Sequence, residues 1–374
     1  MTEPVVIVGG GFAGVAAAWA VARSGGSAVV VADRAGASEL YSGICDGEAR
    51  DAGVVELAQS LGVTVAPTLR AVATREGMIR RVYARDSALL DLEAHAGKQL
   101  GVVDPGRDEW DGELLARSLS ATTWARSTGT SFRCVAVSAL KSGAERRMAP
   151  YDFACLLETS ERSAELARLL GQLVDGIDAL LFGPWLGVES DLARRLSNAV
   201  GRPVGETASA PGGVAGARFA RRRTAVLAAN GVEFVNQAVR AVEERGSGLS
   251  VVLEDGTALS ARAVVLAIGG IVAGGLRVTG VGAGPAASVS LAVPAALELE
   301  GEIVDRATSL MGQIARRGDF EPLDAIGLVV DARFAASAGL PLYACGDALA
   351  GKPRTVLGAL SSGLAAGRGA VGVS

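Results

Sequence analysis

Three glycines in the spacing G-x-G-x-x-G, at Gly9, Gly11 and Gly14, follow directly on an apolar run, Val5–Val8, and open a helical stretch from Phe12 to about Ser24. The chemistry this spacing serves is phosphate binding. Gly9 permits a tight turn out of the strand, and Gly11 lets the backbone approach a pyrophosphate with no Cβ in the way. Gly14, with Ala13, Ala16 and Ala17, lets the helix lie close to a sheet. The helix N-terminus at Phe12 offers N–H groups and a partial positive charge to phosphate. A second apolar strand, Ala28–Ala32, ends at Asp33, nineteen residues beyond Gly14. An acid at that distance can accept hydrogen bonds from the ribose hydroxyls of an adenosine. Strand, turn, helix, strand and acid together predict a dinucleotide site, with Arg34 beside its acid.

Other residues have chemistry to offer around such a site. Ser42 and Gly43 lie in the loop after the ribose-binding strand and suit close passage along an extended cofactor. Cys45 is a weak candidate for a redox or proton-handling group, because a thiol without a nearby resolving partner is ordinarily inert. Arg221–Arg223, with Arg218, could clamp an anionic substrate such as a phosphate ester. Adjacent arginines on a helix point in different directions, so a solvated face is the plainer reading. Near the C-terminus, Cys345-Gly346-Asp347 follows a short apolar strand, Leu342–Ala344, and precedes a small-residue helix, Leu357–Val371. Asp347 could hold a hydroxyl-bearing chain, with Cys345 packed behind the turn. The one histidine, His95, is isolated and reads as structural, which excludes chemistry built on several histidines.

Composition narrows the field. The chain has 374 residues, a net charge of −4 and 20% charged residues, so nothing points to a nucleic-acid partner. The four cysteines, Cys45, Cys134, Cys155 and Cys345, form no C-x-x-C, so no iron–sulfur cluster or structural zinc is encoded. A reducing, cytoplasmic setting fits. Hydrophobic residues make up 49% of the chain, which suits an Ala/Val/Gly-rich α/β core or a subunit interface. Pro4–Ala22 carries no charge, but its run of glycines argues against a direct membrane span and Glu3 against a signal peptide.

Hydrophobic periodicity places the remaining elements. A helix is expected from about Ala49 to Leu61, and Thr68–Ala84 shows no helical period. Strands are expected at Ala88–Leu92, Gln99–Val103 and Ser131–Leu140, and helices at Asp111–Leu119, Ser160–Leu173 and Glu189–Val200. From Gly212 the pattern returns to helix and strand. Val232–Val235 is a strand that Gln237–Val242 continues. Leu249–Leu253 and Thr257–Ser260 flank the turn signal Asp255–Gly256. Ala263–Ala267 is a last buried strand, ending near Gly269 and Gly270.

The motifs VVIVGGGFAG…VVVADR, VVLAIGG and LYACGDALAG, in that order, resemble those of the flavoproteins built from two dinucleotide-binding domains. Within that superfamily the chain is most similar to the B subunit of anaerobic glycerol-3-phosphate dehydrogenase. The stretches that carry this are YSGICDG, GMIRRVYARDSALLDL, LLFGPWLGV, GRPVGETASAPGGVAGARF and VVLAIGGIVAGGL. The resemblance implies a Rossmann-like FAD-binding domain of glutathione-reductase type, α/β in class, with an inserted mixed α+β substrate or cap domain. It implies FAD rather than FMN as cofactor, held by Gly9, Gly11, Phe12, Ala13, Gly14, Asp33, Arg34, Ser42, Gly43, Ala267 and Gly269. Val239 would lie in the strand whose backbone meets the adenine. Gly346 and Asp347 would meet the ribityl or pyrophosphate part, and Gly358 and Ala359 the flavin ring. Arg354, just before that helix, would be placed to stabilise a reduced, anionic flavin.

The domain boundaries expected on this basis are 1–84, 202–275 and 336–374 for the FAD domain, 85–201 for the insertion and 276–335 for a cap or interface segment. The function implied is electron relay in a multi-subunit dehydrogenase, with a second flavoprotein or an iron–sulfur subunit as partners and any membrane association supplied by them. A stand-alone FAD dehydrogenase or oxidase of a small hydroxy or amino substrate is the first alternative, and a flavin-binding scaffold without turnover the second. Only one G-x-G-x-x-G, at Gly9, Gly11 and Gly14, follows an apolar strand and opens a helix, so nicotinamide binding is not expected.

Overall fold

The computed structural model describes residues 3–33, 36–49, 51–246, 248–279, 286–299, 302–304 and 325–372. The chain forms two compact units, one of Met1–Ser38, Gly47–Leu61 and Arg223–Ser374, the other of Glu39–Asp46 and Gly62–Arg222.

The first unit is organised on a parallel five-stranded sheet. Its order is Glu233–Val235, Ala28–Val31, Val5–Val8, Ala263–Leu266, Leu342–Ala344. Val5–Val8 lies in the middle, with Ala28–Val31 on one side and Ala263–Leu266 on the other. A strand covered on both faces must be apolar throughout, and Val5, Val6 and Ile7 are fully buried. The charge-free stretch that tempts a membrane reading therefore resolves into strand, turn and helix. Among the described residues no helix is long and apolar enough to cross a membrane.

The helix Phe12–Arg23 packs on the C-terminal helix Val356–Ala370, and both present glycine and alanine at the contact. A β-carbon on Gly363 would collide with the Ala13 carbonyl oxygen and lie 2.8 Å from Ala16 Cβ; one on Gly367 would collide with the Ala17 carbonyl oxygen. Ala16 and Ala17, expected to seat the helix on the sheet, thus meet the second helix, while Gly14 lies over the Gly9 carbonyl at the strand end.

A second sheet of this unit is antiparallel and contains Val239–Arg245, Gly248–Leu253 and Ala258–Ala261. In its turn Asp255 Oδ1 accepts from Thr257 N at 2.8 Å. Gln237–Val242 does not continue the strand before it. The Val235 carbonyl accepts from Ala32 N across the parallel sheet and from Gln237 N, both at 3.0 Å. That second bond closes a three-residue turn, which sends the chain into the other sheet. Two smaller antiparallel pieces join Leu276–Thr279 to Ala286–Val289, and Leu297–Leu299 to Glu302–Val304 and Gly327–Leu328.

The other unit has its own parallel sheet, in the order Ser131–Ala136, Gln99–Asp104, Ala179–Phe182, Val204–Glu206. Helices Gly112–Ser120, Pro150–Glu158, Ser160–Gly171 and Leu192–Val200 accompany it, the first capped by Asp111 Oδ1 on Leu114 N at 2.8 Å. Trp110, Phe153 and Trp185 meet edge to face in its core, with ring centroids 5.0 and 5.9 Å apart. An antiparallel sheet of Ile44–Cys45, Ile79–Asp86 and Val63–Ala73 completes the mixed α+β character. Thr68–Ala84, which lacks a helical period, is most of this hairpin. Ala88–Leu92 is not a strand. Asp86 Oδ1 accepts from Ala88 N at 2.9 Å and the Asp86 carbonyl from Leu89 N at 3.0 Å, so a turn of the kind aspartate favours takes its place.

The helix–helix contact generates a test. Gly363→Leu should lower stability by about 3 kcal/mol, the upper end of what overpacking costs, with a matching fall in the urea midpoint. A midpoint equal to that of the wild type would show that the two helices do not touch backbone to backbone.

Candidate functional site

Gly9 leaves the first strand at φ +116°, a conformation that only glycine takes without strain, and its N–H donates to the Val31 carbonyl at 2.9 Å. A β-carbon there would collide with the Ala267 carbonyl oxygen. Ala267 N in turn donates to the Val8 carbonyl at 2.8 Å, so the turn and the end of the strand Ala263–Leu266 are locked together. Gly11 is the N-cap of the helix, with φ −79° and ψ −173°, and provides no side-chain cap. Its carbonyl accepts from Val15 N at 3.0 Å, while Phe12 N donates to Ser38 Oγ at 3.2 Å. A helix start with its positive end at a glycine turn is a site for an anion. Asp33 is exposed just beyond the strand Ala28–Val31. Arg34 lies outside the described residues.

The C-terminal turn meets the same helix. A β-carbon on Gly346 would lie 2.7 Å from Ala13 Cβ, and Cys345 Sγ lies 3.9 Å from the Ala13 carbonyl oxygen. Gly346 N donates to Ser362 Oγ at 3.0 Å, and that hydroxyl donates to the Gly358 carbonyl at 2.8 Å. Gly358 N is capped by Thr355 Oγ1 at 3.0 Å. Sequence reasoning did not single out Ser38, Ser362 or Thr355: Ser38 and Ser362 act through amides 26 and 16 residues away, whereas Thr355 is a local N-cap of a kind that threonine favours. Burial raises the Asp347 carboxyl, and Arg354 opposes that rise. A β-carbon on Gly270 would lie 3.0 Å from the Asp347 carbonyl oxygen and 3.1 Å from Arg354 Cζ. Arg354 Nη2 donates to the Ile326 carbonyl at 3.1 Å. Gly269 lies in the same loop, and Val239 lies opposite Leu253, where the antiparallel ladder shifts register.

The structure therefore brings Gly9 and Gly14 against Ala267, and Gly346 against Ala13, at the ends of three adjacent parallel strands. The cradle fits an adenine dinucleotide, because these close-approach positions are glycine or alanine.

Ser42, Gly43 and Cys45 belong to the other unit and have structural partners there. The Gly43 carbonyl accepts from Asp86 N at 2.7 Å and the Ser42 carbonyl from Ser209 N at 2.9 Å. A β-carbon on Gly43 would collide with Leu89 Cδ1. Cys45 is fully buried, with Sγ 3.3 Å from Tyr41 Oη, and burial pushes its thiol up to about 12. Burial thus favours the neutral thiol of Cys45 over the thiolate that redox or nucleophilic chemistry would use. Burial first, then Lys98, lowers the pKa of His95, in keeping with a structural imidazole.

The four arginines differ in burial: Arg221 is exposed, Arg222 and Arg223 are half-buried, and Arg218 is buried. Arg218 is 2% exposed and lies between two carboxylates, Glu206 at 2.6 Å and Asp86 at 3.4 Å, each 1% exposed. It also donates to the Gly187 carbonyl at 2.8 Å. Burial alone would favour neutral arginine, but Asp86 and Glu206 raise its pKa. Burial likewise raises Glu206, against the pull of Arg218. Arg222 reaches Asp86 at 3.5 Å, and Arg221 pairs with Glu189 at 2.7 Å. Arg223, in the first unit, turns to the glycine run.

A family model described as FAD-NAD(P)-binding matches residues 180–271. No curated protein matches. Among solved structures, the chain is similar to cyclohexylamine oxidase from Brevibacterium oxydans, with 14% identity and a TM-score of 0.36, covering 100% of this chain and 99% of that one. It is similar also to thioredoxin reductase of T. acidophilum, with 13% identity and a TM-score of 0.26, covering 98% and 97%. These scores are too low to carry an activity or a substrate across. The fold is Rossmann-like and of the FAD-NAD(P)-binding kind that the family model describes, and FAD fits its cradle.

Two outcomes follow. Gly11→Val keeps a backbone conformation open to valine but puts a branched side chain at the helix start, so it should abolish FAD binding with the far-ultraviolet spectrum unchanged. Retained flavin would show that phosphate does not bind there. The raised Asp347 carboxyl favours the protonated form in the folded state. Its contribution to stability is thus full below the ordinary aspartate range and lost as pH rises through the folded value. Apo Asp347→Asn should have a higher Tm than apo wild type at pH 7, with the gap closing on acidification. A gap that widens in acid would reverse the sign of that burial effect.

Proposed function

We propose that this chain is a flavin-dependent oxidoreductase subunit whose FAD relays electrons within a glycerol-3-phosphate-dehydrogenase-like complex. One observation carries the flavin reading: the contact of Gly9, Gly14 and Gly346 with Ala267 and Ala13, at strand ends where a dinucleotide binds. Bound FAD supplies both hydride and single-electron chemistry in one group. The chain's own residues bind and orient it. The N-terminus of the helix Phe12–Arg23 holds the pyrophosphate, Asp33 the ribose hydroxyls, and Asp347 the hydroxyl-bearing linker. Thr355 fixes the first turn of the C-terminal helix, where Gly358 and Ala359 leave room for the ring.

The relay is supported by what the side chains are able to do. Burial first raises the Cys45, Cys134 and Cys345 thiols, to about 12, about 11 and about 12, and the one histidine is buried with its pKa lowered. Substrate oxidation with proton removal is assigned to a second flavoprotein subunit, and onward transfer to an iron–sulfur subunit.

The test is a visible spectrum of the purified chain, repeated after anaerobic addition of glycerol 3-phosphate. Oxidised flavin that persists, and is then reduced when the catalytic partner subunit is added, is the expected result. Flavin bleached by glycerol 3-phosphate alone would make the chain a dehydrogenase in its own right and end the relay reading. Protein purified without flavin, and unable to take it up, would end both.

A further inference from the structure

Gly10 lies outside the G-x-G-x-x-G set, yet its surroundings are closed. A β-carbon there would lie 3.1 Å from Phe234 Cε2, 3.3 Å from Ala32 Cβ and 3.4 Å from Arg223 Nη1. The same Arg223 Nη1 donates to the Gly10 carbonyl at 3.2 Å. Its guanidinium carbon lies 5.0 Å from the centroid of the Phe234 ring. Phe234 stands on the edge strand Glu233–Val235 opposite Val30, so the aromatic support comes from the sheet itself. A guanidinium held over an aromatic ring and bonded to a carbonyl is fixed in place and direction.

The carbonyl it holds belongs to the peptide that joins Gly10 to Gly11. That peptide is trans, as is every one described. In a planar trans peptide the C=O and the following N–H point in opposite directions. Fixing the Gly10 carbonyl toward Arg223 therefore aims the Gly11 N–H away from that guanidinium. Three consecutive glycines would otherwise leave this peptide free to rotate, at the entropic cost that glycine carries.

We propose that Arg223 is a positioning residue for the dinucleotide: through the Gly10 carbonyl it orients the Gly11 amide toward the pyrophosphate, with Phe234 holding its guanidinium. This rests on the flavin reading only in naming FAD as the ligand; the phosphate contact applies to any adenosine diphosphate.

The experiment titrates apo wild type, Arg223→Ala, Arg223→Lys and Phe234→Leu with ADP, FAD and riboflavin, and records the Tm of each ligand-free protein. Arg223→Ala should weaken ADP and FAD by a common factor of roughly tenfold or more, about the loss of one charge-assisted hydrogen bond. Riboflavin, which has no phosphate, should bind as before. Arg223→Lys should recover part of the loss, and Phe234→Leu should show a smaller one. Unchanged ADP binding in Arg223→Ala overturns the proposal. So does an equal loss of ADP and riboflavin with a lowered Tm, which would make Arg223 merely structural. Wild type that binds ADP but not FAD refutes the flavin reading and leaves Arg223 to be judged on ADP. Wild type that binds none of the three refutes both.

Discussion

Where Gly9 turns out of the first strand, its backbone meets the Ala267 carbonyl, and where the first helix meets the last, Gly363 faces the Ala13 carbonyl and Gly367 that of Ala17. These contacts exist because no β-carbon intervenes. Backbone brought this close gains dispersion over many atoms at once. It also brings the ends of three strands near enough to hold one extended ligand. The cost is the conformational freedom that glycine loses on folding, roughly 0.5–1 kcal/mol at each position relative to alanine. Ser362 shows how the arrangement is kept from loosening: one hydroxyl bridges the Gly346 amide and the Gly358 carbonyl.

The other unit is held by opposite means. The helices and loops around its parallel sheet carry large aromatic side chains and buried charge. Arg107 is 3% exposed, lies 4.4 Å from the Phe153 ring centroid and 5.2 Å from that of Trp185, and donates to the Glu145 carbonyl at 3.0 Å. Arg218 joins Asp86 and Glu206 in the same way. Buried ions of this kind give little net stability, since desolvation offsets most of the attraction. Removing one partner, however, strands the rest. Arg218 links three separate stretches: Asp86 at the end of a hairpin, Gly187 in a loop and Glu206 at the end of a strand. That geometry can be satisfied in only one arrangement, which is what buried polar contacts offer in place of net stability.

The glycine turn and its flanking strands were legible because their requirements are local: a buried parallel strand must be apolar, and the turn must be glycine. The same holds for the helix from Ser160 and the strand from Gln99, whose periodicities are strong. What could not be read depends on partners distant in sequence. Ala88–Leu92 has the composition of a strand, but Asp86 bonds its own neighbours and makes a turn. Asn236 and Gln237 follow the strand Glu233–Val235 and apolar positions resume at Ala238 and Val239; the bond from Gln237 N to the Val235 carbonyl, which ends the strand, is not visible in that pattern. The burial of Cys45, a weak candidate by sequence, is not written in a single residue. Arg218 looked like a surface cation because its two carboxylates stand 12 and 132 residues away.

The arginines show why residue type alone misleads about a ligand site. In an open parallel sheet the loops at the carboxyl ends of the strands bind the ligand, and here those loops are mostly glycine and alanine. Such loops make close approach possible but do not fix their own peptide planes. Arg223 bonds the Gly10 carbonyl and covers the face of Gly10 where a side chain would be. Arg354 bonds the Ile326 carbonyl and covers Gly270 in the same manner. A planar guanidinium suits this task, since it donates to a carbonyl along one edge while its faces pack on apolar or aromatic groups. Lysine, a point charge on a flexible stem, does not combine the two. The positive charge beside the cradle thus follows from how the glycine loops are stiffened, and it would favour a phosphate placed there.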